Sequence, residues 1–530
     1  MMIQDKLCSA EEAAALIKDG QTIATSGFVG IGVCEALNTA LEKRFLEQNE
    51  PQGLTLIYGA GQGDGADRGA NHFAHKGLIK RVIGGHWGLA QKLGRLAVDG
   101  DIEAYNFPQG VICQLFRDIA AKRPGTITHV GIGTFIDPES AGGPESAGGK
   151  LNSKTSEELV QSVVLGGQRW LWYKAFPIHV GFIRATAADQ QGNLIMNREA
   201  IFGEVLQIAQ AVHNSGGLVI AQVNELLEEP INPQQVIVPG ILVNKIVVAG
   251  IEEHQQTFGE AYNPGYCSSL PKEVSISNSV EPMKNNERKI ICARACSEIP
   301  EHAIVNLGIG MPEGIAQVAA EKDLLSNFTL TVESGPIGGI PAGGWSFGAA
   351  LYPQAVIDAP SQFDFYDGGG LDFAALGAAQ IDASGNVNVS KFGTKLAGVG
   401  GFVNISQNAK ILIFCGTFTV GGLKVEVSDG VLKIVKEGKI RKFINSLDQV
   451  SFSASQAVQN NQKVLYITER AVFTLTSEGL ELIEVAPGID IDSQIFRLMD
   501  FKPIVQRVTL MPKNLFQCGG GLTFLREDVI

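Results

Sequence analysis

Apolar and polar positions near the start of the chain follow two alternating periods. Ser9 and Glu12 form a capping-box pattern ahead of Ala13-Ala14-Ala15-Leu16-Ile17, which predicts a helix ended by Gly20. Gln21 to Thr25 reads as a strand, and Gly27-Phe28-Val29-Gly30-Ile31-Gly32 as the loop after it. Next comes a helix with Cys34, Leu37, Leu41 and Phe45 on one face. Leu54 to Tyr58 is the following strand, and it ends in a second glycine loop, Gly59 to Gly63. Strands alternating with helices across glycine turns predict an α/β fold with a mainly parallel sheet.

The second half repeats this order. A helix from about Glu287 to Ser297 precedes strand Ala303–Leu307, the loop Gly308-Ile309-Gly310-Met311-Pro312, a helix carrying Ile315, Val318 and Ala319, and a strand from Phe328 to Val332. Asp189-x-x-Gly192-Asn193-Leu194 and Asp382-x-x-Gly385-Asn386-Val387 are matching turns between strands. Leu218–Ile220 matches Ile411–Ile413 at the same offset. Two related open α/β domains are the simplest account, 1–278 and 279–530, with a connection over Asn263 to Asn286. Laid over Phe328 to Glu333, the stretch Leu54 to Gly59 puts Gly59 where the second domain has Glu333. The first half is longer, and its extra segment holds Pro-Glu-Ser-Ala-Gly-Gly twice in tandem over 138–149, a composition suited to a surface loop. Beyond Gly416 the pattern turns β-rich, with a hairpin around Asp429-Gly430 and strands over Val464 to Val485 broken at Ser477-Glu478-Gly479.

Composition narrows the function classes. The 530 residues are 45% hydrophobic, enough for sizeable cores, and the net charge of −13 disfavours nucleic acid or an anionic membrane as a partner. No apolar run is long enough to span a bilayer, and the N-terminus does not read as a signal peptide. None of the eight cysteines is spaced for zinc or for redox chemistry, and Cys292 and Cys296 read as small hydrophobes on one helix. The expectation is a cytoplasmic protein with no metal.

The chemistry centres on Thr331-Val332-Glu333-Ser334-Gly335-Pro336-Ile337-Gly338-Gly339. Here a carboxylate sits at the C-terminal end of a strand, the edge where open α/β sheets place ligands, and a glycine-rich turn follows. An isolated Glu-Ser-Gly is more often a helix cap or a surface turn. The other familiar patterns fail. Gly30 and Gly32 lack the third glycine and the ribose-binding acid of a dinucleotide fingerprint, and there is no Walker sequence. Gly344-Trp345-Ser346-Phe347-Gly348 has the letters of a nucleophile elbow, but no strand leads into it and no histidine lies beyond His302. A carboxylate nucleophile needs no partner base, since a glutamate with a pKa of about 4.3 is ionised at neutral pH.

Asp19-Gly20-Gln21-Thr22-Ile23-Ala24-Thr25-Ser26-Gly27-Phe28 resembles the N-terminal signature of the class I coenzyme A transferases, and Val332-Glu333-Ser334-Gly335 is similar to their glutamate motif. The resemblance extends through Phe107-Pro108-Gln109-Gly110, Asn306 to Pro312, Lys391-Phe392-Gly393 and Gly398-Val399-Gly400-Gly401, and so covers nearly the whole chain. It is strongest toward the fused single-chain acetate/propionate type. Ser26, Cys34 and Ser334 depart from the usual glycine, proline and asparagine. The resemblance implies transfer of coenzyme A between a short-chain acyl-CoA and a free acid, through a glutamyl-CoA thioester on Glu333. Gln109 and the Gly401 N–H would be oxyanion donors, with Gln109 reaching Glu333 from the other domain. Coenzyme A would be a substrate and covalent intermediate rather than a tightly bound cofactor. Its contacts would be Gly308, Gly310, Met311, Pro312, Ala397 and Lys424, and the assembly a homodimer or homotetramer. Read from the residues alone, Gln109 is equally a turn after Pro108, Gly401 the end of an element, and Lys424 a solvated hairpin lysine. Two rival functions stay open, an acyl-CoA hydrolase using the same intermediate and a non-catalytic ligand-binding protein on the same fold.

Overall fold

The structure is a computed structural model that describes residues 3–140, 147–271 and 282–517. Much of the tandem Pro-Glu-Ser-Ala-Gly-Gly segment and of the expected connection between halves lies outside the described residues. The chain groups into two compact units. The first gathers Met1–Leu270, Val332–Asp367 and Ser390–Asn404, and the second holds Pro271–Thr331, Gly368–Val389 and Ile405–Ile530.

The first unit is built on a parallel sheet of seven strands: β1 (Thr22–Thr25), β2 (Leu54–Tyr58), β3 (Ile79–Gly84), β4 (Glu103–Asn106), β5 (Val180–Arg184), β6 (Leu218–Val223) and β7 (Lys245–Val248). They lie in the order β7-β6-β5-β1-β2-β3-β4. All four residues of β1 are buried, as are all five of β5, which is why these strands read as continuous runs rather than as alternation. The chain leaves β1 toward β2, β3 and β4, then returns to lay β5 on the other flank of β1. The strand order therefore reverses at β1, and the loops after β1 to β4 share the carboxyl edge where such sheets take ligands.

Helix α1 (Ala10–Ala15) has the expected capping box, but it stops at Ala15 rather than at Gly20. Leu16 caps it and is exposed, the Lys18 N–H turns to the Gln21 side chain at 2.9 Å, and Ile17 is buried outside the helix. Helix α2 (Glu35–Gln48) buries Leu37, Leu41 and Phe45 together, with Cys34 at its N-cap. Helices α3 (Gln109–Ala120), α4 (Val205–Asn214) and α5 (Ala359–Asp367) belong to the same unit, and α3 packs against both α4 and α5. The segment after Glu333 contributes two small antiparallel pairs, Pro336–Ile337 with Ala355–Val356 and Ile340–Pro341 with Ala350–Leu351.

The second unit repeats the plan. Strands β8 (Ile304–Leu307), β9 (Thr329–Thr331), β10 (Phe373–Gly377), β11 (Ile411–Cys415) and β12 (Lys463–Ile467) are parallel in the order β9-β8-β10-β11-β12. Ala471–Thr476 and Gly479–Val485 extend the sheet antiparallel, so the strand break falls at Ser477-Glu478 and Gly479 already pairs. Helix Glu287–Cys296 buries Ile290, Ile291, Cys292 and Cys296 in this unit's core. Lys424–Ser428 and Val431–Lys436 form the expected hairpin, with Asp429 (φ 52) and Gly430 (φ 75) supplying the two left-handed residues of a type I′ turn. The Asp-Gly-Asn turns also hold: Asp189 joins Ala187–Ala188 to Leu194–Ile195, and Asp382 joins Gln380–Ile381 to Val387–Asn388.

Candidate active site

Glu333 lies two residues past the end of β9 and is 8% exposed. The turn that carries it is fixed at three points. The Val332 N–H donates to the Pro336 carbonyl at 3.0 Å, the Gly335 N–H to the Val332 carbonyl at 3.0 Å, and the Ser334 hydroxyl to the Gly348 carbonyl at 2.5 Å. Gly335 has φ 131, and its carbonyl accepts the Ile357 N–H at 3.1 Å. A Cβ there would lie 2.0 Å from the Ile357 carbonyl oxygen, so no other residue fits.

Gln109 is not in a turn after Pro108. It opens α3, with Pro108 as the N-cap, directly beyond the carboxyl end of β4. A strip of backbone from Ala397 to Gly401 is laced to the loops after β3 and β4. The Ala397 carbonyl accepts from the N–H groups of Trp87 (2.7 Å) and Gly88 (2.9 Å), and the Val399 N–H donates to the Asn106 side chain (3.0 Å). The Gly400 N–H donates to the Gly85 carbonyl (2.7 Å), and its own carbonyl accepts the Gln109 N–H (2.8 Å). Asn404, one turn further on, accepts the Gly110 N–H at 3.1 Å and donates to both Asp367 carboxylate oxygens at 3.0 Å. Glu333, Gln109, Ala397 and Gly401 thus all belong to the first unit. The Gln109 side chain is buried, and its Nε2 has no hydrogen-bond partner among the described residues.

Two neighbours of Gln109 carry no signal in the sequence. Glu204, 3% exposed just before α4, accepts a hydrogen bond from the Cys113 thiol at 3.4 Å, one turn along α3 from Gln109. Burial pushes its carboxyl up to about 7. The other is His86, in the loop after β3, whose imidazole burial drives down to about 4. A third buried group, Glu199, is desolvated yet held down at about 2 by the Arg184 guanidinium and by its hydrogen bond with His254. This ion cluster braces the loop after β5.

In the second unit, Gly308 to Pro312 forms the turn between β8 and helix Gly314–Glu321, with Gly310 (φ 88) exposed and its carbonyl taking a 2.8 Å bond from Arg288. Lys424 is exposed at the start of its hairpin. The Gly344 to Gly348 segment is a single 3₁₀ turn in which the Ser346 hydroxyl pairs with that of Thr257 at 2.8 Å, so it is no nucleophile elbow. Among the described residues there is no group of histidine, cysteine or acidic side chains able to hold a metal ion, and no helix long and apolar enough to cross a membrane.

The family model for coenzyme A transferase matches residues 8–249. The acetate CoA-transferase YdiF of Escherichia coli (strain K12) is 42% identical over 96% of this chain and 94% of its own length. The chain belongs to the coenzyme A transferase family. The caffeate CoA-transferase of Acetobacterium woodii is 41% identical over 94% of this chain and 95% of its own. Among solved structures, the acyl-CoA transferase YdiF of E. coli O157:H7, in a thioester complex with CoA, aligns with TM-score 0.91 and 40% identity over 99% of both chains. This coenzyme A transferase accordingly moves CoA between an acyl-CoA and a carboxylate, and the α/β fold expected from the sequence is the fold of its relatives.

Proposed function

We propose that this CoA-transferase works through Glu333, by ping-pong chemistry on short-chain acids of the acetate and propionate type. The Glu333 carboxylate attacks the acyl-CoA carbonyl and expels the CoA thiolate, leaving an acyl-glutamyl anhydride. The thiolate then attacks the glutamyl carbonyl, frees the first acid and forms a glutamyl-CoA thioester. An incoming carboxylate runs the two steps backward and leaves as the new acyl-CoA. One thioester replaces another, so the sequence of steps closes without ATP.

The observation that carries this reading is the buried Gln109 Nε2, a donor with no partner among the described residues. An orphaned buried donor costs free energy unless something meets it during function. A tetrahedral oxyanion is the species that an aimed amide stabilises, with the Gly401 N–H as second donor. The thioester named for the solved relative supports the same route, and the glycine turn at Gly338-Gly339 suits a small acid. Gly308, Gly310, Met311 and Pro312 at a helix start, with Ala397 and Lys424, are the candidate CoA contacts. The same reading takes the chain as two related modules, 1–278 and 279–530, of a cytoplasmic homodimer or homotetramer. The repeated Asp-Gly-Asn turns support the duplication.

Incubation with acyl-CoA and no acceptor acid tests the proposal. Intact mass should rise by a CoA adduct, borohydride should reduce the adduct and inactivate the enzyme, and peptide mapping should place it between Phe328 and Trp345. Acetate added first should discharge it. An adduct on a cysteine, or none at all, overturns the reading, and discharge by water without acid would make the protein a hydrolase.

A further inference from the structure

His86 sits in the loop after β3, and its ring is clasped by three glycines. A Cβ on Gly61 would lie 2.5 Å from Nδ1, one on Gly88 3.0 Å from Cε1 and 3.4 Å from Nε2, and one on Gly400 3.6 Å from Cβ and 3.8 Å from Cδ2. The first of these contacts forbids any side chain at 61, so the ring holds its place only because residue 61 is glycine. Nδ1 is buried and has no hydrogen-bond partner among the described residues. It faces the Gly61 methylene, which neither donates nor accepts. Orphaned buried N–H groups are rarer than orphaned acceptors, so the proton belongs on Nε2, which a Cβ on Gly88 would meet only at an ordinary contact distance of 3.4 Å. Burial also keeps the ring neutral, with its pKa down to about 4.

The ring's place beside Gln109 gives it a use. The spot where a Cβ on Gly400 would stand is 3.6 Å from His86 Cβ, 3.8 Å from its Cδ2, the ring atom bonded to Nε2, and 3.9 Å from the Gln109 side-chain oxygen, ordinary contact distances. His86 and Gln109 therefore wall the same small space over Gly400, one residue before Gly401. Resting on the transfer reading above, we propose that His86 is a further catalytic residue, its neutral Nε2–H donating to the acyl carbonyl oxygen beside Gln109 as that oxygen becomes anionic. A neutral donor suits this place. A fixed cation would also grip the free carboxylate and the CoA thiolate, and so would stabilise the ground states along with the transition state. The bond is made and broken without proton transfer, so nothing else is consumed.

The test begins with His86→Ala. It should lower kcat by about 100- to 1,000-fold, the usual loss for one oxyanion donor, while the KM for acyl-CoA stays within roughly threefold. Added imidazole should restore part of kcat, whereas thiazole, of similar shape but without an N–H, should not. A kcat near wild type, or equal rescue by thiazole, overturns the assignment. Should the alanine variant fail to fold, His86→Asn and His86→Leu are compared, alike in bulk but only the first a donor. Asn should keep the higher kcat, and equal values overturn the proposal. Glu333→Ala, run alongside, separates the two readings: if it stays active the glutamyl route falls, and if it is inactive while His86→Ala is fully active, only the His86 assignment falls.

Discussion

Glu333 and Glu204 are both buried carboxyl groups of the first unit, held in different ways. Glu333 sits in a turn pinned by backbone bonds, where shape is spent on aiming its carboxylate. Glu333→Gln keeps the size and removes the nucleophile, so transfer should fall to background and the CoA adduct should vanish. Glu333→Asp withdraws the group by about 1 Å and should cost about 100-fold in kcat. Gln109→Leu should lose about 100- to 1,000-fold in kcat while still forming the adduct slowly. Glu204 is raised by burial to about 7 from its ordinary 4.5, so between these values the folded state holds a proton that the unfolded chain releases. Its stabilising contribution is whole below pH 4.5 and is lost as pH rises through 7. Melting temperatures at pH 5 to 8 should therefore fall more steeply for the wild type than for Glu204→Gln, whose amide keeps an acceptor for Cys113; parallel curves would contradict this. The placement of Glu333 just past a strand end was legible because a β-branched strand runs into it and glycines follow. Glu204 was not, because what marks it is a thiol 91 residues away.

Elements with strong local signals were readable nearly to the residue. Strand β2 spans Leu54–Tyr58 as expected, and the Asp429-Gly430 hairpin follows from two residues that tolerate positive φ. The two-residue strands after Glu333 were not readable. Two of them contain proline, which argues against a strand in sequence, and all exist only through pairing with a partner further along the chain. From the residues alone Gln109 is equally a turn, for the same reason: Pro108 marks a break, but only the β4 edge and the Gly400 carbonyl show that a helix begins there. The start of α3 gives a direct test. A Cβ on Gly110 would lie 2.4 Å from the Asn404 side-chain nitrogen and 2.6 Å from the Phe363 ring. Gly110→Ala should thus destabilise the protein by about 1–3 kcal/mol and lower kcat, since it shifts the helix turn that aims Gln109. Thermal melting and steady-state rates check both effects. Unchanged rates would mean that the helix start tolerates the shift.

At the scale of the molecule, the sequence conveyed the alternation of strands and helices and its repetition, since both are written locally. It did not convey that Val332–Asp367 and Ser390–Asn404 group with residues 1–270, because that grouping rests on contacts between positions hundreds of residues apart, such as Gly110 with Asn404. Steady-state kinetics report on the whole assembly. Double-reciprocal plots at several acid concentrations should be parallel, as a covalent intermediate requires, and intersecting lines would indicate a ternary complex instead.

The three-segment build of the first unit also sets an order of events during synthesis. Gln109 leaves the ribosome long before Glu333; at 5–20 residues per second the interval is on the order of ten to forty-five seconds. The strip that ends at Gly401 emerges later still. On the proposed Glu333 route, a nascent or prematurely terminated chain that stops short of residue 333 has the amide but no nucleophile. Such an unfinished molecule would not drain the acyl-CoA pool by half a reaction. Chemical competence would then come late in the life of each new molecule.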